Sequence, residues 1–591
     1  MKDDSQLKAI YHPVESSAFV TAPPGYGKTY VMTKRIEYLI SEGAVKLPHK
    51  LLALTFSNAA ADQMKKRIKT NIPQCENYVD VMTFHTFAYK LLRCYGNHVG
   101  LKRKFSILNE RTKYQYKSDY YNSEISGESS DYWGRRVSSF ISGYNEWYNT
   151  KYLQGNSVYE VPGQDIYDKL NNSMKEDLIN EYTIDFDNLL FKSIELLETN
   201  EIIKNLIFNK YSFLLADEFQ DTNHAQYTLF KQIATNTFSE KKRVYVLGDK
   251  RQSIMRFQGA NPDNIDFLIE DFGCEPLELE INHRTDSENI STLTSKLRDS
   301  SFVVSKPQHI LYINESVEDE MNRIVDYISY LSKNEVKLHD ICVLFPHKAT
   351  SSVLKQYLEQ GDIDYIDITD FKVDSICKNY SELIKEIEQY INDKKFTGSV
   401  SSIVNELIHK YYSSEQNNIV LKTFRDFSRI FDGGNYSSFK TWERLQEFYN
   451  YFQMEIDWST IIKSHVKNKL YLSTIHSSKG LEFDYVFMFG ITHHRMPFFT
   501  KCFPCQDFRS PKRVDVTESK DLFYVGVSRA IKDVIFFFSQ QDEQNLTKTT
   551  RKISCVFKDA IDCLKFIDYS NNEYSFEDGF VQDLFCQPRC Q

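Results

Sequence analysis

The chain has 591 residues, 41 % of them hydrophobic, too many for a single core and enough for about three or four domains. Its 72 basic and 81 acidic residues give a net charge of −9, which excludes nucleic-acid binding by a broadly basic surface and confines any such site to a local cleft. Eleven scattered cysteines exclude a disulfide scaffold and no run approaches the roughly 18 apolar residues of a membrane span, so a reduced, cytoplasmic protein without a membrane partner is expected.

In chain order, Gln6 comes first, an amide able to donate to and accept from the edge of an adenine. Ser17-Ala18-Phe19-Val20 reads as a buried strand and Tyr30 to Ile40 as a helix. Between them lies the tight loop Ala22-Pro23-Pro24-Gly25-Tyr26-Gly27-Lys28-Thr29. Gly25 and Gly27 let this loop turn back so that backbone N–H groups and a helix N-terminus can surround a phosphate. In that setting Lys28 suits the β- and γ-phosphates of ATP, and the Thr29 hydroxyl suits Mg²⁺. Ala22 stands where the P-loop pattern G-x-x-x-x-G-K-[ST] has its first glycine, so a phosphate loop needs support from later blocks. A plain surface turn is the alternative.

Leu51 to Phe56 and the run ending at Met82-Thr83-Phe84-His85-Thr86-Phe87 are further strand signals, each followed by a helix-forming stretch. Strands alternating with helices predict a parallel α/β sheet. From 96 to 196 the alternation gives way to a polar, aromatic-rich, mostly helical stretch that reads as an insertion. Phe213-Leu214-Leu215-Ala216 then runs into Asp217-Glu218, a buried strand ending in two acids. One carboxylate can organise Mg²⁺ while the second orients or deprotonates water. Arg243 to Leu247 forms another strand, followed by Gly248-Asp249-Lys250-Arg251-Gln252.

The second half repeats the architecture without a P-loop: strands at 341–345, 470–475, 485–489 and 534–538 enclose a helical stretch from 373 to 465. Cys502 and Cys505 have metal-ligand spacing and Cys586 and Cys590 form a second close pair, but no histidine pattern accompanies them, and unrelated thiols are the simpler reading. After 545 the charges are mixed and no chemical motif occurs, which leaves a small cap, a docking tail or partial disorder.

Seven ordered blocks, TFSNAAADQM, TFHTF, LLADEFQDTN, GDKRQSI, LEINHRT, STIHSSKGLEF and YVGVSRA, resemble the motifs of the UvrD/Rep/PcrA family of superfamily-one DNA helicases and span most of the chain. The resemblance implies an α/β fold of two RecA-like domains, each with a mainly helical insertion. The expected division is 1–95 with 197–275 as the first core and 96–196 as its insertion. The second core is 276–372 with 466–545, its short insertion 373–465, and 546–591 a tail or small cap. By the same resemblance Gln6 reads adenine, Lys28 and Thr29 serve phosphate and metal, Asp217 holds Mg²⁺ and Glu218 is the catalytic base. Gln252 couples the γ-phosphate to the DNA side, Arg284 and Arg529 reach the γ-phosphate from the second domain, and Glu482 touches the ribose. Two planar guanidiniums suit charge spread over phosphoryl oxygens.

Several positions depart from the family. His283 replaces the aromatic that stacks on adenine, and Met255, Phe257 and Gln258 replace a Tyr, a Trp and an Arg in the DNA-contacting block. Phe56 and Phe257 still offer ring faces for bases, with core packing as the alternative; His85 and His476 lie beside the expected strand path, with simple packing as theirs. The second insertion has only about 90 residues, the size of one small domain. Short helicases of this kind are similar to those encoded beside nucleases in anti-phage modules, such as the helicase subunit of Gabija. The expected activity is an ATP-dependent, 3′ to 5′ translocase or helicase on single-stranded or partly duplex DNA. The alternative is a DNA-end-sensing ATPase that regulates a partner nuclease without processive unwinding.

Overall fold

A computed structural model describes residues 3–585 apart from 103–104, 109, 126–136, 156–163, 181–182, 239, 370–379, 394–397, 412–418, 434–435, 437–438, 456–467, 494, 497–515 and 543–548. The pairs Cys502/Cys505 and Cys586/Cys590 lie outside the described residues. Among those described, no group of three or more His, Cys, Asp or Glu is arranged to hold a metal ion, and no helix is long and apolar enough to cross a membrane.

The first lobe is built on six parallel strands, β1 (Ala18–Thr21), β2 (Lys50–Thr55), β3 (Val79–Thr83), β4 (Tyr211–Ala216), β5 (Arg243–Gly248) and β6 (Glu275–Glu278), in the order β3-β2-β4-β5-β1-β6. Successive side chains of a strand point to opposite faces, and here both faces are covered. Phe19, Leu52, Leu54, Leu214 and Val246 pack on one side, while Ala18, Val20, Leu51, Leu215 and Leu247 pack on the other. This double burial explains why the strands read as continuous apolar runs. Each fully buried Leu, Val or Phe contributes about 1.5–3 kcal/mol relative to exposure.

Among the described residues the second lobe's main sheet has eight strands: β7 (His309–Asn314), β8 (Ile341–Phe345), β9 (Tyr365–Asp367), β10 (Leu470–Thr474), β11 (Phe483–Phe489), β12 (Ala530–Ser539), β13 (Leu564–Ile567) and β14 (Glu573–Tyr574), ordered β9-β10-β8-β11-β12-β7-β13-β14. All neighbours are parallel except the last pair.

Two features depart from the sequence reading. β6 pairs with β1 from Ala18↔Glu275 to Thr21↔Glu278, so the boundary expected at 275/276 falls inside a strand of the first sheet. Only Leu277 of β6 is buried, too weak a pattern to assign the strand to either lobe. The stretch after 545 is no detached tail: β13 adds to the second sheet beside β7, and Phe557, Leu564 and Phe566 join its core.

Both insertions are helical. In the first, Val137–Tyr148 and Gln164–Asn180 enclose an aromatic core that includes Phe140, Tyr144, Trp147 and Tyr167. Among the described residues the second has the helices Tyr380–Asp393, Val400–Tyr411, Ile419–Ile430 and Thr441–Glu455, with their own core. Its last helix docks on the first lobe: Tyr89 donates its hydroxyl to Glu447 at 3.2 Å, Arg93 pairs with the same carboxylate, and Ser106 donates to Gln446 at 3.1 Å.

Candidate active site

In parallel α/β sheets the loops at the carboxyl ends of the strands form the ligand crevice. The loop after β1 is the glycine-rich segment, and both of its glycines have left-handed backbone, φ +88° at Gly25 and +86° at Gly27. A Cβ at Gly25 would stand 2.7 Å from Cβ of Arg284, and one at Gly27 would stand 2.5 Å from Nε2 of Gln6. Glycine is therefore required twice over, by conformation and by crowding. Gly27 caps the helix Lys28–Ser41, which begins with Lys28 and Thr29. Gln6 donates from Nε2 to the Tyr26 carbonyl at 2.9 Å, which ties the helix Asp4–Ile10 to the loop. Pro23 accepts from the Tyr26 N–H at 3.2 Å, Ala22 donates to Gly248 at 3.1 Å, and Pro24 is buried between them in sequence.

After β4 come Asp217 and Glu218, the latter also left-handed at φ +51°. Lys28 Nζ lies 2.9 Å from Glu218 Oε1 and donates to Gln252 Oε1 at 3.1 Å. Burial alone raises the proton affinity of Glu218, but the Lys28 and Lys479 cations and hydrogen bonds from Lys28 and Gln220 bring it well below the carboxylate range. Asp217 moves the opposite way, raised by burial and by the negative charge of Glu218. The Asp217 carboxylate, an oxygen donor of the kind Mg²⁺ prefers, is buried at the end of β4.

The second lobe closes the crevice. His283 donates its N–H to the Gly25 carbonyl at 2.8 Å, and its Nε2 lies 2.7 Å from Asp3 Oδ2. Arg284 donates to Glu482 Oε2 at 2.9 Å and to the Ser528 carbonyl at 2.7 Å. Arg529 is 3 % exposed, held by the carbonyls of Val525 and Leu481 and by the Ser528 hydroxyl. Burial and the neighbouring Arg284 charge both oppose its cation, so an arriving anion would relieve that cost. Sequence reasoning missed Lys479, which reaches from the second lobe to Asp221 at 2.5 Å and to the Gln252 carbonyl at 2.7 Å. It also missed Asp3, whose only signal was its position before a helix, where its carboxylate accepts from the N–H groups of Ser5 and Gln6.

The four expected DNA-facing residues follow β2, β3, β5 and β10, all at carboxyl ends. The structure brings two of them together. Phe257 is 55 % exposed, which excludes core packing, and its ring meets His476 of the second lobe edge-on at 5.3 Å. Asn149 of the first insertion donates to the Phe257 carbonyl at 2.7 Å and fixes that loop. His85 packs edge-on against Phe186 at 5.8 Å instead, and Phe56 is half-buried.

The comparisons agree with this geometry. Residues 2–273 match the UvrD/REP helicase N-terminal domain, and residues 370–541 match the UvrD-like helicase C-terminal domain. The chain belongs to the UvrD-like helicases. As such it is a hydrolase of the helicase class. An ATP-dependent DNA helicase PcrA of Staphylococcus epidermidis is 24 % identical over 89 % of this chain and 82 % of the relative. A protein of the same description from Staphylococcus aureus is 23 % identical over 87 % of this chain and 80 % of the relative. In this helicase the two matched regions meet where Lys479 pairs with Asp221 and donates to the Gln252 carbonyl, while Arg284 lies between them in sequence and abuts the glycine loop.

Proposed function

We propose that this helicase is an ATP-driven motor that travels 3′ to 5′ along single-stranded DNA and separates or remodels duplexes. The observation that carries the reading is the shared crevice: the loop bearing Lys28 abuts Arg284, so a phosphate bound by the first lobe meets arginines of the second. Lys28 grips the β- and γ-phosphates and, in doing so, leaves Glu218, which is then free to act as base. The water oxygen bonds to the γ-phosphorus, its proton passes to Glu218, and the bond to the β–γ bridging oxygen breaks with its electron pair left on ADP. Thr29 and Asp217 would hold Mg²⁺, which neutralises phosphate charge. Arg284 and Arg529 stabilise the charge that spreads over the γ-oxygens. Gln6 reads the adenine, His283 lies beside it, and Glu482 takes the ribose once Arg284 turns to phosphate.

Phe257 and His476 form the stacking end of the DNA track, on opposite lobes, so opening and closing alternates their grip. Displacement of streptavidin from end-biotinylated oligonucleotides tests the motor. Release from the 5′ end, dependent on ATP, is the expected result. Release only from the 3′ end contradicts the polarity, and ATP hydrolysis without any release favours an end-sensing ATPase.

A further inference from the structure

Arg298 ends the helix Glu288–Arg298 of the second lobe and crosses to the first. Its Nη1 donates to Asp249 Oδ2 at 2.7 Å and to the Tyr524 hydroxyl at 3.3 Å. Asp249 is 2 % exposed. The same Oδ2 accepts from Gln252 Nε2 at 2.8 Å, and Oδ1 accepts from the Arg251 N–H at 3.2 Å. Gln252 Nε2 also donates to the Ala22 carbonyl at 3.2 Å.

The orientation of this amide follows from its neighbours. Both partners of the nitrogen, a carboxylate and a peptide carbonyl, are acceptors only, and a flipped amide would set oxygen against oxygen twice. Oε1 therefore points at the catalytic side, where Lys28 donates to it at 3.1 Å. An acceptor in that place repels a phosphate oxygen and attracts a donor. Once Lys28 has moved to the phosphates, the donor that replaces it is the attacking water, which has one proton for Glu218 and one for Gln252. Gln220 completes the circuit, donating to Glu218 Oε2 at 2.5 Å and accepting from the Asp249 N–H at 3.0 Å.

We propose that Arg298 is a positioning residue which, through Asp249, locks the Gln252 amide with its oxygen toward the attacking water, and does so only when the two lobes are together. The proposal rests on reading the crevice as an ATPase site. Separation of the lobes withdraws the guanidinium from Asp249 Oδ2, and losing that charged contact loosens the amide Asp249 holds. Hydrolysis in the open state is suppressed by this means, and closure restores it.

The test is a double-mutant cycle of Arg298→Ala and Gln252→Ala, read as kcat and KM for ATP with single-stranded DNA present, alongside thermal melting of each variant. Arg298→Ala is expected to lower kcat by about 10²-fold, the cost of a misplaced catalytic group, with KM changed by less than about threefold. In the Gln252→Ala background the same change adds nothing, because the amide it would have oriented is gone. Additive losses, or a parental kcat in Arg298→Ala, overturn the proposal. If Arg298→Ala fails to fold, the cycle is run with Arg298→Lys, which keeps the charge without the fork and is expected to show a smaller, equally non-additive loss. Parental enzyme that hydrolyses ATP and loses activity in Lys28→Ala leaves the ATPase reading intact whatever the cycle returns. Parental enzyme without ATPase activity removes the reading and the proposal together.

Discussion

Lys28 divides its charge between Glu218 and Gln252, so each of the three is accountable for a different loss. Lys28→Ala is expected to abolish ATP turnover while circular dichroism reports an intact fold, since the loop is shaped by Gly25 and Gly27. Glu218→Gln keeps the side-chain shape but cannot take a proton, so it binds nucleotide and does not turn over; turnover at the parental rate would remove Glu218 as base. Arg284→Ala and Arg529→Ala are each expected to cut kcat about 10³-fold with little effect on ATP binding, because both act on transition-state charge. Equal losses in binding and turnover would assign them to the ground state. His476 supplies a pH signature. Burial, then the His347 and Lys479 charges, pull its proton affinity from 6.5 to about 4. Between those values the unfolded chain binds a proton that the folded one refuses, so stability falls as pH drops through this window. His476→Gln is expected to flatten that part of the stability curve in urea melts, and an unchanged curve would place the ring in water.

At the scale of elements, the β1 loop, the acids after β4 and the apolar strands β1 to β5, β8, β10, β11 and β12 were legible because each is local, whereas β6, β7, β9, β13 and β14 were not. Doubly buried parallel strands are continuous apolar runs, and a phosphate loop must carry glycines where its backbone is left-handed. The pairings that assemble the site were not legible. Asp3 with His283, Asp221 with Lys479 and Asp249 with Arg298 join residues far apart in sequence, and no periodicity records which acid meets which base. β13 was missed because only Leu564 and Phe566 of its four residues are buried among the second lobe's apolar side chains. The second insertion's seat on the helix Phe84–Tyr95 was equally hidden, since it includes polar contacts of Glu447 and Asn450 with Tyr89 and Arg93 that leave no periodicity in the sequence. Removing Glu447 breaks its pairing with Arg93 in a mostly buried contact, a loss of up to about 3–5 kcal/mol for a buried pair. Glu447→Ala is expected to expose Tyr89 to solvent, read as increased hydrogen exchange along Phe84–Tyr95; unchanged protection would show that apolar packing holds the bundle.

For the whole molecule, a net charge of −9 and the Phe257–His476 ring pair at the lobe boundary support the proposal that DNA is held in a cleft and not by a field. Affinity is expected to depend only modestly on salt. Phe257→Ala is expected to weaken single-strand binding by about 1–3 kcal/mol at unchanged melting temperature, as an exposed stacking ring requires. A core phenylalanine would instead cost about 3–5 kcal/mol of stability and impair every activity together. In the proposed motor both lobes contribute to the nucleotide crevice and to the DNA track, so closure on ATP and grip on DNA are expected to be one motion. Steady-state ATP hydrolysis, measured with and without polythymidine in the parental chain and in Phe257→Ala, tests that coupling most directly. The account predicts strong stimulation by the single strand in the parental chain, and in Phe257→Ala an unchanged DNA-free rate with stimulation lost. Hydrolysis indifferent to single strands in the parental chain, or full stimulation in the variant, would contradict it.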